Sequence, residues 1–426
     1  MNNVSRRHFL KAAAAGAAMF NIVPASVLGQ NAPSNKIVVG AIGVGSQGRG
    51  VMGGFMQHPD VVVKAVCDVN AVKMVTFKKQ IDERYGNSDC LMIKDFRELC
   101  ERKDIDAVMI ATPDHWHATA GIYAANHGKD IYGEKPFTHN LREGRLYVNA
   151  LEKNKRVFQA GSMQRSGGDF RRAVELVRNG RIGKIVRVEV GLPSGGRGKP
   201  GVPGTKVPEG LDWNMWVGPA PYREFQGVYD WDWRWILDFG GGQMKDWICH
   251  HCDIGLWAVQ KDNVGPAEVE GVGLFKADGI YDSPTAYRYT AKYEDGLEVV
   301  VADSNHFELG GGVRWIGEKG EWIFVTRGHY ATSNPKLWYQ QPEAGEFRLP
   351  SVSSQQRDFL DAVKARTVPT SPAEASHRVT SVGHLGQIAM LTGRKIRWDW
   401  RAEEIIDDPA AASLLWREPR KEWAKA

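Results

Sequence analysis

Glycines at a fixed spacing near the beginning of the chain carry the first chemical signal. They form Gly-x-Gly-x-x-Gly between an apolar run and an amphipathic one, in a turn made of Gly43, Gly45, Ser46, Gln47 and Gly48. Such a turn holds a pyrophosphate, because glycine permits the sharp bend, the close approach of the backbone and the packing of helix on strand. Asp68 ends the next apolar run, where a carboxylate binds both ribose hydroxyls and repels a 2'-phosphate. We therefore expect a dinucleotide site that prefers NAD to NADP.

Two later stretches place polar side chains directly after apolar runs. Thr112, Pro113 and His117 belong to the stretch Thr-Pro-Asp-His-Trp-His, and Glu134 and Lys135 follow the next run. In open α/β sheets, ligands bind at the carboxyl ends of parallel strands. Lys135 precedes a proline, so the backbone holds it extended or cis and aims its side chain. We interpret Lys135 as a site residue rather than as half of a surface ion pair with Glu134.

A glycine triplet at residues 240–242 precedes a stretch that contains Asp246, His250 and Asp253. On a helix these three side chains share one face, because they are four and three residues apart. A carboxylate near a histidine raises the basicity of the ring, which suits acid/base catalysis. Taken alone, however, the segment is more typical of an ordinary helix cap with a satisfied core histidine.

Cysteine usage favours neither disulfides nor a metal site. Five cysteines in 426 residues form no secreted disulfide framework. Cys249, His250, His251 and Cys252 are consecutive residues of metal-binding types, but structural zinc sites bring a second pair of ligands and none follows at a suitable spacing. We expect no metal.

The elements that must position these residues change character near residue 160. Between residues 36 and 160, short apolar runs alternate with amphipathic stretches, which predicts a parallel sheet covered by helices on both faces. Later strands such as 285–293 alternate polar and apolar residues, which predicts a second, mostly antiparallel sheet. A chain of 426 residues exceeds what one core usually serves. The expected fold is a doubly wound α/β domain followed by an α+β domain with a large open sheet.

The first 29 residues are interpreted as an export signal. Arg6 and Arg7 precede Phe-Leu-Lys and an uncharged apolar stretch, residues 12–23, that is too short to cross a bilayer. The alternative is a frayed basic amphipathic terminus. We expect cleavage of this signal after Gly29. Because the twin-arginine route exports folded proteins, we expect the mature protein to be periplasmic and without stable membrane insertion.

Composition excludes several other classes of protein. Hydrophobic residues make up 42% and charged residues 25% of the chain, as in ordinary soluble globular proteins rather than disordered or multispan membrane chains. The formal net charge is +5, and three of the positive charges belong to the export signal. No nucleic-acid partner is therefore indicated.

Together, the motifs resemble those of the glucose-fructose oxidoreductase / inositol dehydrogenase / rhizopine-catabolism (Gfo/Idh/MocA) family over about residues 36–400. The resemblance implies that Lys135, Asp246 and His250 are the catalytic group and that Glu134 lies beside the cofactor. It also implies a Rossmann domain and an open-sheet domain that forms a homo-oligomer, a dimer or tetramer. The domains are expected to be a signal at 1–29, the NAD-binding domain at 36–160, the substrate and oligomer domain at 161–400 and a tail at 401–426.

Aromatic residues near the motifs favour a carbohydrate substrate. Aromatic faces stack on the C–H faces of sugar rings while neighbouring polar groups bind hydroxyls. Most of the 15 tryptophans must be core residues, so we expect only one or two of them to touch the ligand. The candidate substrate contacts are Trp116, Arg165, Trp231, Trp233 and His251. The Cys-His-His-Cys cluster and the Trp-rich approach to it depart from the family pattern and leave the sugar open.

Three functions remain open. The first is an NAD-dependent dehydrogenase of a sugar or glycoside hydroxyl, which would retain its cofactor because an exported enzyme meets little free dinucleotide. The second is a hydrolase that oxidises a glycoside transiently, eliminates the aglycone and restores NAD. The third is a non-catalytic dinucleotide-binding protein. The Gly/Pro-rich stretch 194–212 is either a flap over the site or a plain surface loop.

Overall fold

The computed structural model describes residues 35–196, 201–227, 229–275 and 279–424. In this part of the chain the first sheet has six strands in the order β3-β2-β1-β4-β5-β6, and the strand pairs are all parallel. Its strands are β1 (Ile37–Ile42), β2 (Val61–Cys67), β3 (Leu91–Ile93), β4 (Ala107–Ile110), β5 (Asp130–Gly133) and β6 (Phe158–Ala160). The strand order reverses beside β1, which is where open α/β sheets bind their ligands.

Helices cover both faces of this first sheet, so each face has its own apolar core. Continuous apolar strands are stable only when both of their faces are buried. The helices between the strands of this sheet are α1 (Ser46–Phe55), α2 (Ala71–Tyr85), α3 (Phe96–Glu101), α4 (His117–Asn126) and α5 (Leu141–Lys153). Helix α5 begins with a capping box, in which Asn140 and Glu143 each satisfy the other's backbone N–H.

The second sheet has nine strands within the described ranges, in the order β13-β12-β11-β7-β10-β9-β8-β14-β15. Only β10 and β7 pair in parallel there. The strands are β7 (Ile185–Leu192), β8 (Glu268–Phe275), β9 (Pro284–Lys292), β10 (Glu298–Asp303), β11 (Gly312–Gly317), β12 (Trp322–Thr326), β13 (His329–Thr332), β14 (Ile396–Asp399) and β15 (Glu404–Ile405). The predicted fold class, a doubly wound domain followed by a mostly antiparallel open-sheet domain, is confirmed.

One face of the second sheet packs against helices. They include α6 (Gly168–Arg178), α8 (Gly242–Ala258) and α11 (Ala373–Thr392), whose side chains form one core with the sheet. The remaining helices are α7 (Trp213–Val217), α9 (Lys336–Tyr339), α10 (Gln355–Ala365) and α12 (Pro409–Ala412). Helix α10 follows the second sheet in sequence but covers the first one, where Phe359 packs edge-on against Phe55 and Tyr132.

The C-terminal residues also contact the first domain. Trp423 packs edge-on against Trp116, with ring centroids 4.8 Å apart, and Arg420 donates a hydrogen bond to the Gly218 carbonyl. The export signal and residues 197–200 of the Gly/Pro-rich stretch lie outside the described residues. Among the residues that are described, no helix combines the length and the apolar character needed to cross a membrane.

Candidate active site

A cleft with a volume of about 210 Å³ lies between the carboxyl edge of the first sheet and the start of helix α8. The first sheet contributes the glycine turn after β1, Asp68 after β2, and the residues that follow β4 and β5. The second domain contributes Asp246 and the Trp-rich segment before α8. Predicted site residues that line the cleft are Gly43, Gly45, Ser46, Gln47, Gly48, Asp68, Thr112, Pro113, Trp116, Glu134, Lys135, Trp231, Trp233 and Asp246.

The glycine turn has the shape that a dinucleotide requires. Gly43 has a φ of +83°, a conformation that side chains rarely adopt. A Cβ on Gly48 would lie 2.0 Å from the Gly43 carbonyl oxygen, so helix α1 approaches the turn too closely for any other residue. A Cβ on Gly45 would meet nothing within 4 Å, which leaves that backbone open to the cleft. The turn therefore fits a pyrophosphate at the N-terminus of α1.

Asp68 is held at the edge of this turn. Its Oδ2 accepts a hydrogen bond from Val44 N at 2.8 Å, and its Oδ1 accepts one from Asn70 N at 2.9 Å. Burial raises the pKa of Asp68, and the two backbone N–H groups oppose that rise. Each carboxylate oxygen keeps lone pairs for further donors, so the side chain can bind ribose hydroxyls while it fixes the turn.

Glu134 connects the end of β5 to the glycine turn. Its Oε1 accepts a hydrogen bond from Gln47 Nε2 at 3.0 Å. Burial raises the pKa of Glu134, although the neighbouring Lys135 ammonium and Gln47 act against the rise. The peptide bond that follows Lys135 is cis.

Lys135 and Asp246 form a buried ion pair between the two domains. Lys135 Nζ lies 2.8 Å from Asp246 Oδ1, and each side chain is 13% exposed. Burial acts to lower the pKa of Lys135, but the negative charges of Asp246 and Glu134 outweigh it. The pKa of Lys135 is therefore raised, and the ammonium is retained. Burial likewise raises the pKa of Asp246, and Lys135 and Arg234 outweigh it, so the carboxylate stays ionised. The cleft therefore contains a fixed positive charge beside a carboxylate.

His250 lies one turn after Asp246 on α8 but is not bonded to it. Within the described residues, its Nδ1 is buried and has no hydrogen-bond partner. Burial lowers the pKa of His250 well below its usual value, and the positive charges of Lys135 and Arg327 lower it further. The expectation that a nearby carboxylate raises the basicity of His250 is therefore wrong, because Asp246 pairs with Lys135 instead.

Four predicted residues have structural contacts that limit their direct access to ligand. His117 Nδ1 lies 2.7 Å from the Pro136 carbonyl oxygen and its Nε2 lies 2.9 Å from the Thr112 carbonyl oxygen, so the ring joins the two site loops. Arg165 is 2% exposed and pairs with Asp253 and Asp262, so the structure does not bring it to the cleft. Because Asp253 pairs with Arg165, its carboxylate does not act on His250 as expected.

Trp116 and His251 are also held by the fold. Trp116 is 5% exposed, and its Nε1 donates to the Trp216 carbonyl, so only part of the ring borders the cleft. His251 Nδ1 lies 2.8 Å from the Gly191 carbonyl oxygen. Among the described residues, no group of three or more His, Cys, Asp or Glu side chains is arranged to hold a metal.

Arg234 and Asp114 are cleft residues that the sequence reasoning missed. The Arg234 guanidinium lies 3.9 Å from the ring centroid of Trp231 and 4.4 Å from that of Trp233. Its Nε is 3.6 Å from Asp246 Oδ1. The alternation Trp-Asp-Trp-Arg-Trp was the available signal, since arginine between tryptophans favours stacking. Asp114 belongs to the Thr-Pro-Asp-His-Trp-His stretch, in which the predicted site residues are Thr112, Pro113, Trp116 and His117.

An NAD-binding oxidoreductase is the class of protein that this fold and cleft define. Residues 37–162 match the model described as "Oxidoreductase family, NAD-binding Rossmann fold", and residues 171–425 match the family's C-terminal alpha/beta domain. The chain belongs to this Gfo/Idh/MocA oxidoreductase family. Residues 3–20 match the twin-arginine translocation signal sequence, so the N-terminus carries an export signal. The predicted family, signal and cofactor are confirmed.

Individual relatives cover different parts of the chain. The alpha-N-acetylgalactosaminidase of Shewanella oneidensis is 30% identical over 215 residues, which is 44% of this chain and 46% of that protein. The chain thus spans about half the length of the curated relatives it matches. GenD2 from gentamicin A biosynthesis, solved with NAD, has a TM-score of 0.62 at 19% identity and covers 85% of this chain and 97% of its own.

A second solved structure contains a sugar nucleotide. The WlbA dehydrogenase from Bordetella pertussis, in complex with NADH and UDP-GlcNAcA, has a TM-score of 0.62 at 15% identity. The alignment covers 85% of this chain and 99% of that one. At these identities the two solved structures show a shared fold.

Proposed function

We propose that this protein oxidises a hydroxyl group of a sugar or glycoside with NAD held in the cleft. The observation that carries the proposal is the Lys135–Asp246 ion pair, 2.8 Å long and contributed by both domains, in the cleft that begins at the glycine turn. Such a buried ammonium is suited to stabilise charge that develops on an oxygen atom.

The roles of the residues follow from their charges. NAD, when bound, accepts the hydride of the carbinol carbon. Lys135 donates a hydrogen bond to the substrate oxygen and polarises it as it becomes a carbonyl, and Asp246 holds the ammonium in place. His250 is neutral, because burial and nearby positive charges lower its pKa, and it receives the hydroxyl proton.

The cofactor is held by residues on the first domain. The backbone around Gly45 receives the pyrophosphate, Asp68 the adenosine ribose, and Gln47 and Glu134 lie on the way to the reacting centre. The substrate occupies the side of the cleft formed by Trp231 and Trp233. Trp231 is 55% exposed, so the ring face that Arg234 does not cover can stack on a sugar.

Location and assembly belong to the same proposal. The twin-arginine signal supports a folded, cofactor-retaining protein in the periplasm, where released NADH would not be replaced. Val272 and Leu274 on strand β8 are 75% and 57% exposed on the second sheet, which supports a homo-oligomer formed through that sheet. We place the NAD-binding domain at 36–160, the substrate and oligomer domain at 161–400, and the C-terminal tail at 401–426.

A second candidate is a glycoside hydrolase that uses NAD transiently. The relative named alpha-N-acetylgalactosaminidase supports it, at 30% identity over 44% of this chain. In this cycle, oxidation acidifies a neighbouring C–H group, the aglycone is eliminated, water adds and the carbonyl is reduced again. The same Lys135, Asp246 and His250 would serve both directions of the redox step.

Product analysis separates the two candidates. The purified protein is incubated with a panel of sugars and aryl glycosides while nicotinamide absorbance and products are followed. A dehydrogenase forms oxidised sugar and leaves its bound cofactor reduced, whereas the hydrolase releases a free aglycone without net redox change. If no compound changes either the absorbance or the products, the non-catalytic alternative replaces both.

A further inference from the structure

Asp114 is a buried carboxyl group in the cleft to which the proposed reaction assigns no role. It follows strand β4 at the start of a short 3-10 helix (Asp114–Trp116). Its side chain lines the cleft together with Lys135, Asp246 and Arg234, yet the residue is only 3% exposed. Within the described residues no hydrogen bond or ion pair reaches its carboxyl group, and its oxygens are not among the fully buried unpartnered atoms, so they open to the cleft.

Other buried carboxylates of this chain are bonded. Asp253 pairs with Arg165, and Asp130 pairs with Arg366 and accepts a hydrogen bond from Val157 N. A carboxyl group that serves only the fold is normally satisfied in this way, because burying it without partners costs free energy. The absence of such partners for Asp114 in the described structure indicates a group kept for a ligand.

Charged groups act on Asp114 from three other segments. Asp246 and Lys245 approach from helix α8, Arg234 from the Trp-rich segment and Lys135 from the loop after β5. Burial, followed by repulsion from Asp246, raises its pKa to about 7. Its own segment adds His115 and His117, whose pKa values are lowered by burial.

The oxidation needs a group on which a proton can remain. His250 receives the proton poorly as a final acceptor, since its pKa lies well below neutrality. Lys135 is already protonated, and Asp246 is held ionised by Lys135 and Arg234. Glu134 is bonded to Gln47 on the glycine-turn side of the cleft. Asp114 is the remaining carboxyl group beside the catalytic ion pair.

We propose that Asp114 is a further acid/base residue of this cleft, which faces the bound sugar and takes up the proton that the substrate hydroxyl loses. The inference rests on the proposed function. The substrate O–H and C–H bonds break and a C=O bond forms. The hydride, with its electron pair, would pass to bound NAD, and the proton, relayed by His250, would form an O–H bond on Asp114. In the reverse reduction the Asp114 carboxyl returns this proton.

The test combines an infrared titration with a pH profile of turnover. Wild type and Asp114→Asn, purified as they are produced, are compared for the C=O stretch of a protonated carboxyl group as the pH rises. We expect a wild-type band that disappears near pH 7 and is missing in Asp114→Asn. With a sugar from the panel that the protein oxidises, the wild-type kcat should change with pH as a group titrates near pH 7. Asp114→Asn should lack this pH dependence, and its kcat should be about 100-fold lower.

Two further variants separate catalysis from folding. Asp114→Glu keeps a carboxyl group in the cleft and should restore part of the turnover together with a shifted pH profile. Asp130→Asn removes a buried carboxylate at the opposite edge of the same sheet, which pairs with Arg366. It should lower stability while leaving the infrared band and the pH profile unchanged.

Each result has one meaning. An infrared band that persists in Asp114→Asn, or a pH profile identical to wild type in an active Asp114→Asn, overturns the inference while the proposed function stands. A wild-type protein that shows the Asp114 titration but oxidises no sugar and releases no aglycone overturns the proposed function, and the inference with it.

Discussion

Replacing Lys135 with methionine tests the ion pair at the centre of the proposed site. The substitution keeps most of the side-chain volume and removes the ammonium that lies 2.8 Å from Asp246 Oδ1. Loss of one preorganised donor to a developing oxyanion typically lowers kcat by about 100- to 1000-fold, or about 3–4 kcal/mol in the activation barrier. We expect Lys135→Met to lose turnover in this range and to bind NAD nearly as well as wild type.

The same substitution affects stability, and that effect must be separated from catalysis. Removing one partner of a buried ion pair costs about 3–5 kcal/mol, because the other charge stays buried. Arg234 Nε still lies 3.6 Å from Asp246 Oδ1, so the loss of stability should be at or below the lower end of this range. Adding Asp246→Asn removes the stranded charge. The double variant should regain free energy of unfolding in a denaturant titration but remain as inactive as Lys135→Met.

Lys129→Met is the matched control. Lys129 is a 4% exposed lysine on the first domain whose Nζ donates to the Ile105 carbonyl at 2.6 Å, at the opposite edge of the sheet from the cleft. Its loss should reduce stability and leave kcat near wild type. Steady-state turnover and calorimetric NAD titration are measured on all four proteins. Full turnover by Lys135→Met, or a recovery of turnover in the double variant, would refute the role given to the ammonium.

Three further predictions address the cofactor, export and pH dependence. Asp68→Ser should weaken NAD binding about 10- to 100-fold and narrow the preference over NADP, measured by titration with both, because a charged acceptor for hydroxyls is lost; equal affinity of wild type for both cofactors would contradict it. Changing Arg6 and Arg7 to lysine should leave precursor in the cytosol in a fractionation experiment, and unchanged export would refute the signal. Since the pKa of Asp114 rises from 3.8 to about 7 on folding, the folded protein holds a proton that the unfolded chain has released between these pH values. The free energy of unfolding should therefore fall by up to about 4 kcal/mol as pH rises through this window, and Asp114→Asn should lack this fall in denaturant titrations.

Local sequence signals predicted the first domain closely. Apolar runs and capping residues depend on nearest neighbours, so parallel strands and helices alternate between residues 36 and 160 as expected. The strand expected at 285–293 occurs as Pro284–Lys292. The glycine turn was predictable because Gly43 and Gly48 occupy positions where a side chain would clash with the backbone.

Long-range contacts explain what the sequence did not predict. The partner of Asp246 is Lys135, which lies 111 positions earlier in the chain. Helical spacing does not reveal a contact over such a distance in sequence. Arg165, a predicted substrate contact, pairs with Asp253, which is 88 positions away. Its role in the structure is therefore to hold the fold. Helix α10 is amphipathic like its neighbours, so its pattern did not indicate which of the two sheets it covers. Short edge strands such as β13 and β15 carry too few residues for a periodic signal.

Transfer of a labelled hydride tests the central claim most directly. A sugar or glycoside that the protein converts is supplied with deuterium on its carbinol carbons, and the nicotinamide released by denaturation during turnover is analysed by mass. Both the dehydrogenase and the transient-oxidation hydrolase predict deuterium on the cofactor, and Lys135→Met should reduce it at least about 100-fold in rate. Conversion of the labelled substrate without any deuterium on the nicotinamide would contradict the account.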